Sequence, residues 1–198
     1  MDFPTVWFWR GGRLSDQWFE VARFTSDRWP HPTRVIAETM PEDDSVVTTT
    51  FLDEQGHLVV DASREDWSAG APPLWYVLVP EEGITKTYTL VAYADGLFAA
   101  GTIVNAAEMK ERQIPFTGFV GAIRWRRESA LMEQIHVPPE HRRKKISTKL
   151  ISVADTLVVA MGTNAFLNGG EATTADGEKL REAYSKSNRV HNRQISIE

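Results

Sequence analysis

Residues 135–150 have the sequence IHVPPEHRRKKISTKL, and they pass from a strand-like run into a helix. The run at 130–137 is apolar and strand-like, and two prolines then end it. From Ile146 to Met161 apolar residues recur at intervals of three and four, which is the pattern of an amphipathic helix. Gly162 follows at the position of a C-terminal stop. The sequence therefore predicts a strand, a short connection and a helix over 130–161.

The connection between this strand and helix concentrates positive charge. Four consecutive basic residues directly precede the helix: Arg142, Arg143, Lys144 and Lys145. A helix N-terminus presents N–H groups that lack intrahelical acceptors, and the helix dipole adds a partial positive charge, so anions bind there favourably. The pattern fits an anion-binding site, and it fits equally a solvated start of an ordinary helix.

The passage resembles the acetyl-coenzyme A binding motif of the GCN5-related N-acetyltransferases (GNAT), where a strand ending in V-x-P-E leads into R/Q-x-x-G-x-G/A and a long helix. Residues 120–125, VGAIRW, are similar to the family's preceding strand, and residues 183–186, AYSK, resemble a later helix. The resemblance covers residues 118–190. It implies an α+β fold with a mixed, mostly antiparallel central sheet flanked by helices, and direct transfer of an acetyl group from acetyl-coenzyme A to an amine.

The family pattern places the phosphates of the cofactor at the connection. It aligns the leading arginine with Arg142, the first glycine with Lys145 and the second small residue with Ser147. The cofactor-binding residues that it implies are Ile135, Val137, Arg142, Arg143, Lys144, Lys145, Ile146 and Ser147. Lysine is a large departure from glycine, because a side chain there would crowd the phosphates or change the backbone path. Three interpretations stay open: an active enzyme with a modified loop, a binder of another anion, and a protein that keeps the fold but has lost the cofactor.

Two further residues take chemical roles that the resemblance implies. Tyr184 matches the family's tyrosine that protonates the departing thiolate, and Glu133, in mid-strand, is the candidate base for the amine proton. Strand N–H groups near Ile135 and Val137 would polarise the thioester carbonyl. Simpler interpretations exist, since a tyrosine on an amphipathic helix often packs, and a strand carboxylate often faces solvent or pairs with an arginine.

Residues 1–105 lie outside the resemblance, and we predict them to be a tryptophan-rich, acidic and β-rich part of the chain. Predicted strands lie at 6–9, 46–52, 57–61, 74–79, 85–93 and 97–104, and predicted helices at 14–24 and 105–113. Six of the seven tryptophans fall in this part. It either completes the sheet or forms a subdomain beside the acyl-coenzyme A-binding part, 106–198. Its aromatic residues could anchor a protein partner.

Composition limits the classes of function. The 198 residues are 42% hydrophobic and 25% charged, which is typical of globular proteins. The absence of cysteine excludes disulfides, thiolate metal sites and a cysteine nucleophile. The histidines show no metal-ligand spacing, so we expect no metal. No apolar run reaches the roughly 20 residues of a membrane span and no signal peptide is evident, so we expect a cytoplasmic protein without a membrane partner.

Charge is divided unevenly along the chain. Residues 1–105 carry 7 Lys+Arg against 16 Asp+Glu, a net charge of −9, and residues 106–198 carry 15 against 11, a net charge of +4.

An acyl-coenzyme A-dependent N-acyltransferase is the leading hypothesis for the function of this chain, and its amine acceptor is unknown. The first alternative is a non-catalytic structural or interaction module, for example a phage or virion-associated component. An anion or nucleic-acid binder using the basic residues at 124–145 is the third hypothesis, although the net charge of −5 disfavours nucleic acid.

Overall fold

The computed structural model describes residues 6–10, 20–24, 48–62, 68–161 and 167–169. Within these residues there are nine strands, two α-helices and one short 3₁₀ helix. The strands are β1 (Val6–Arg10), β2 (Glu20–Phe24), β3 (Thr48–Leu52), β4 (Leu58–Asp61), β5 (Trp75–Glu81), β6 (Thr87–Tyr93), β7 (Thr102–Asn105), β8 (Gly121–Arg126) and β9 (Met132–His136). The helices are α1 (Ala106–Glu111), the 3₁₀ helix Pro139–His141 and α2 (Ile146–Ala160).

All nine strands belong to one sheet, in the order β2-β1-β3-β4-β7-β5-β6-β8-β9. Seven of the eight neighbouring pairs are antiparallel, and the pair β5–β7 is parallel. This confirms the predicted α+β class and the mixed, mostly antiparallel sheet. Strands from both sides of residue 105 take part in this sheet, since β1–β7 end at or before Asn105 and β8 and β9 follow it.

Local patterns account for several elements. The strands predicted at 46–52 and 57–61 are found as the hairpin β3–β4, and those at 74–79 and 85–93 as the hairpin β5–β6. The side chain of Asn105 accepts a hydrogen bond from the backbone N–H of Glu108 as the N-cap of α1. The helix predicted at 14–24 is wrong over Glu20–Phe24, which is β2 and pairs antiparallel with β1. Val21 and Phe24 suit a strand as well as a helix, and backbone pairing with β1 decides between them.

The main core lies between α2 and one face of the sheet. Leu150, Ala154 and Leu157 of α2 pack with Ile123 and Trp125 of β8 and with apolar residues of the central strands. Gly121 permits this close approach, because a Cβ atom there would lie 2.9 Å from Ile146 Cγ2 and 3.0 Å from Leu150 Cδ1. A second core on the opposite face joins Trp75, Val77, Tyr93, Val104 and, from α1, Met109.

Helix α2 is more enclosed than an amphipathic surface helix. Residues 150–158 are all buried, including the polar residues Ser152, Asp155 and Thr156. Asp155 Oδ1 accepts a hydrogen bond of 2.8 Å from the backbone N–H of Leu167, and the Thr156 hydroxyl donates to the Ser152 carbonyl. These three polar side chains of α2 therefore lie in the protein interior, and the hydrogen bond of Asp155 connects Leu167 to the helix. Neither helix in the described part of the chain is long and apolar enough to cross a membrane.

Candidate functional site

The candidate site lies where β9 leads into α2, at one edge of the sheet. β9 pairs with β8 on one side. On its other side Leu131 forms a single parallel bridge with Asn168, in which Asn168 N donates to Ala130 O and Met132 N donates to Asn168 O. Beyond Met132, the described residues provide no strand partner for the outer edge of β9. Backbone groups of 133–137 thus lie at the edge of the sheet that the described residues form, directly before the loop that leads to α2.

A β-bulge interrupts β9 at Glu133. Arg124 lies opposite Gln134 and Trp125 lies opposite Met132, so Glu133 is the extra residue. The bulge allows Met132 and Ile135, three positions apart, both to pack against the core. Bulges of this kind redirect side chains and are frequent near active sites.

The carboxylate of Glu133 forms an ion pair across the hairpin. Glu133 Oε1 lies 2.7 Å from Arg126 Nε, and the two side chains are 28% and 47% exposed. Pairing with a nearby arginine was one of the interpretations open to Glu133. The second oxygen, Oε2, receives no hydrogen bond from the described residues, so it is the one available for a further contact.

The backbone of the loop before α2 is unusual. Arg143 and Lys145 both have φ = 61°, whereas Arg142 has φ = −65° and Lys144 is not among the residues with positive φ. The left-handed region costs an L-residue about 1–2 kcal/mol and glycine almost nothing. Lys145, which the resemblance aligns with the family's first glycine, therefore has a backbone conformation that glycine would take without strain.

The predicted cofactor-binding residues divide into two groups. Arg142, Arg143, Lys144 and Lys145 are exposed, and Arg142 Nε donates to the Val137 carbonyl at 3.2 Å, which connects the loop to the end of β9. Ile135, Val137 and Ser147 are half-buried, and the Ile146 side chain is buried in the core. Ile146 can therefore offer a ligand only its backbone. Tyr184 lies outside the described residues, as does the rest of the segment 183–186 that resembles the family's later helix.

Three of the basic residues at 124–145 are each paired with a carboxylate. Arg124 pairs with Glu81 at 2.8 Å, Arg126 with Glu133 and Arg127 with Glu82 at 2.7 Å. The Thr89 hydroxyl, with the Arg124 guanidinium, holds the pKa of Glu81 below its ordinary value of 4.5, although partial burial raises it.

The loop carries the remaining positive charge of this region. Arg142, Arg143 and Lys144 form no ion pair with the described residues. Among the described residues, the basic side chains of this region that lack a carboxylate partner therefore lie in the loop rather than on β8.

Sequence reasoning missed a second polar cluster around His57. Its ring lies between the carboxylates of Asp53 and Glu108, at 3.2 and 2.8 Å. His57 and Glu108 are 51 positions apart, so no local motif could indicate their contact. In the part of the chain that the structure describes, no group of three or more His, Asp or Glu residues could hold a metal ion.

Comparison of the chain with protein-family models, with curated proteins and with solved structures found no significant match.

Proposed function

We propose that this protein is an acyl-coenzyme A-dependent N-acyltransferase with a GNAT-like sheet, which transfers an acetyl group from acetyl-coenzyme A directly to an amine. One observation carries the proposal: Lys145 occupies the glycine position of the family's phosphate loop and has φ = 61°. The loop thus keeps a glycine-like backbone path between an edge strand and a helix N-terminus, even though the residue has changed.

The loop suits a pyrophosphate in two respects. A chain in which negative and positive φ alternate points successive N–H groups to one side, where they form a concave anion site. The first turn of α2 adds further N–H groups and the positive end of the helix dipole. The exposed guanidinium groups of Arg142 and Arg143 and the ammonium group of Lys144 could then close over the phosphate oxygens.

The chemistry needs a proton acceptor, an oxyanion donor and a proton donor. In our proposal Glu133 Oε2 takes the proton of the amine, directly or through water, as the nitrogen attacks the thioester carbonyl carbon. Backbone N–H groups of β9 and its end, near Ile135 and Val137, stabilise the oxygen as it gains negative charge. The C–S bond then breaks, and the resemblance gives Tyr184 the role of protonating the departing thiolate.

The proposal extends to the acceptor and the setting of the reaction. The acidic residues of 1–105 favour a cationic acceptor such as a lysine side chain or a polyamine, because opposite charges steer association. Trp75 is buried in the second core, so the other tryptophans of 1–105 are the proposed anchors for a protein partner. We propose that the reaction takes place in the cytoplasm, the compartment expected from the sequence.

A non-catalytic protein with this fold is the second candidate, and two observations favour it. The Lys145 side chain occupies a position that glycine would leave open, and Arg126 already engages one oxygen of Glu133. The nucleic-acid hypothesis loses support from the ion pairs of Arg124, Arg126 and Arg127, since phosphates would have to compete with carboxylates.

Calorimetric titration with acetyl-coenzyme A tests the proposal. We expect the wild type to bind with micromolar affinity, about −8 kcal/mol, and to acetylate at least one member of a panel of lysine peptides and polyamines. Glu133→Gln and Tyr184→Phe should bind the cofactor normally and transfer slowly. Failure of the wild type to bind, with binding gained by Lys145→Gly but not by Lys144→Gly, would contradict the enzyme and favour the second candidate.

A further inference from the structure

The neighbouring strands β8 and β9 place several polar side chains on the face of the sheet opposite α2. Ile123 and Trp125 of β8 pack with α2 in the main core. Because successive side chains of a strand point to opposite faces, Arg124 and Arg126 lie on the other face. Gln134 of β9 is directly opposite Arg124 and therefore shares that face.

The bulge in β9 decides on which face Glu133 lies. In a regular strand Glu133 would share the face of Ile135, two positions further on, and would be turned toward the main core. The bulge changes this alternation between Met132 and Ile135, which both pack against the core. Glu133 instead meets Arg126, whose Nε donates a hydrogen bond of 2.7 Å to Glu133 Oε1. The carboxylate of the proposed base thus lies on the face opposite α2.

One contact fixes the orientation of this carboxylate. Among the described residues, Arg126 is the hydrogen-bond donor to the Glu133 side chain, and it engages Oε1. Oε2 receives no such bond, and 28% of the side chain is exposed. A glutamate has three staggered wells at each of χ1 and χ2, so without an anchor it samples up to about nine rotamers. The ion pair therefore selects one orientation of a side chain that would otherwise adopt several.

The geometry of the contact leaves the carboxylate able to react. A bidentate arginine engages both carboxylate oxygens through two parallel hydrogen bonds, whereas here one bond from Nε engages one oxygen. We infer that Arg126 is a positioning residue for acetyl transfer, which holds Glu133 by Oε1 so that Oε2 is presented to the amine. The inference rests on the proposed acyltransferase function. In that reaction the amine nitrogen bonds to the carbonyl carbon, its proton passes to Oε2, and the C–S bond breaks.

Steady-state kinetics of full-length variants test this role, with acetyl-coenzyme A and an acceptor that the wild type acetylates. We expect Arg126→Ala to lower kcat by up to about tenfold, because about nine rotamers of Glu133 replace one. The KM for acetyl-coenzyme A should not change. Arg126→Lys should recover part of the loss, since an ammonium group can supply a single hydrogen bond. Both variants should fold, because exposed ion pairs contribute little to stability.

Arg124→Ala is the matched control for the kinetics. Arg124 lies on the same strand and face, is 39% exposed against 47% for Arg126, and pairs with Glu81 rather than with Glu133. It should keep the kcat of the wild type. With an active wild type, an unchanged or raised kcat in Arg126→Ala would overturn the positioning role alone. A wild type that acetylates no acceptor would refute the proposed function, and this role in catalysis with it.

Scalar couplings of the Glu133 side chain test the anchor without any reaction. The three-bond couplings of its Cγ to the backbone N and C′ atoms report χ1 by NMR, and they are measured in the absence of acetyl-coenzyme A. We expect one rotamer in the wild type and in Arg124→Ala, and averaged couplings in Arg126→Ala. Averaged couplings in the wild type, or a single rotamer in Arg126→Ala, would overturn the positioning role whether or not the protein transfers acetyl groups.

Discussion

Replacing Arg143 by glycine should stabilise the protein, whereas replacing its neighbour Lys144 by glycine should destabilise it. Both residues are exposed and both substitutions remove one positive charge. They differ in the backbone, since Arg143 has φ = 61° and Lys144 is not among the residues with positive φ. The comparison therefore isolates the backbone strain of the loop.

The magnitude follows from two opposing terms. Glycine relieves about 1–2 kcal/mol of strain at a left-handed position, and its greater freedom in the unfolded chain costs about 0.5–1 kcal/mol at any position. Arg143→Gly should therefore gain about 0.5–1 kcal/mol, and Lys144→Gly should lose about 0.5–1 kcal/mol. The two variants should differ by about 1–2 kcal/mol, or roughly 5- to 30-fold in the unfolding equilibrium constant.

Urea denaturation of the two variants and the wild type, at one pH and ionic strength, measures this difference as a shift in midpoint with an unchanged slope. Lys145→Gly should also relieve backbone strain, but its gain in stability should be smaller, because the substitution removes the interaction that Lys145 makes. If Arg143→Gly and Lys144→Gly lost the same stability, the loop would not contain the left-handed residues on which the phosphate-site argument depends.

Three further predictions concern other parts of the molecule. Gly101→Ala should cost at least about 2 kcal/mol in urea unfolding, because its Cβ would lie 2.5 Å from the Val60 carbonyl oxygen; Gly96→Ala, with positive φ but open space, should cost less, and equal losses would contradict this. Glu133→Gln should lower kcat for acetyl transfer by about 100-fold with unchanged acetyl-coenzyme A affinity, and unchanged kcat would exclude the base role. Because the folded-state pKa of Glu81 is lowered, its contribution to stability exists above pH 4.5 and disappears as the pH falls below it; acid unfolding of Glu81→Gln should therefore begin from a lower stability and be shallower than that of the wild type.

The local parts of the fold were predictable from the sequence. The helix predicted at 146–161 is found as Ile146–Ala160, and Asn105 caps α1. Such features depend on residues within one or two turns, where apolar spacing and capping act directly. The strand predicted at 97–104 is found only as Thr102–Asn105, since the pairing of β7 with β4 and β5 sets its extent.

Non-local contacts were not predictable. The ion pair between Arg124 and Glu81 joins β8 to β5, and His57 meets Glu108 across 51 positions, so no spacing along the chain reports them. The bulge at Glu133 was equally hidden, because it depends on the register between β8 and β9. Spacing did identify the loop at 142–145, although the positive φ values there conflict with the side chains of Arg143 and Lys145.

Backbone amide NMR during a titration with acetyl-coenzyme A tests the central claim most directly, because it reports where the cofactor binds as well as whether it binds. We predict saturable shifts concentrated at residues 142–147 and along β9 and its end at 133–137. An absence of shifts at millimolar acetyl-coenzyme A, or shifts confined to Arg124 and Arg126 on β8, would contradict this claim.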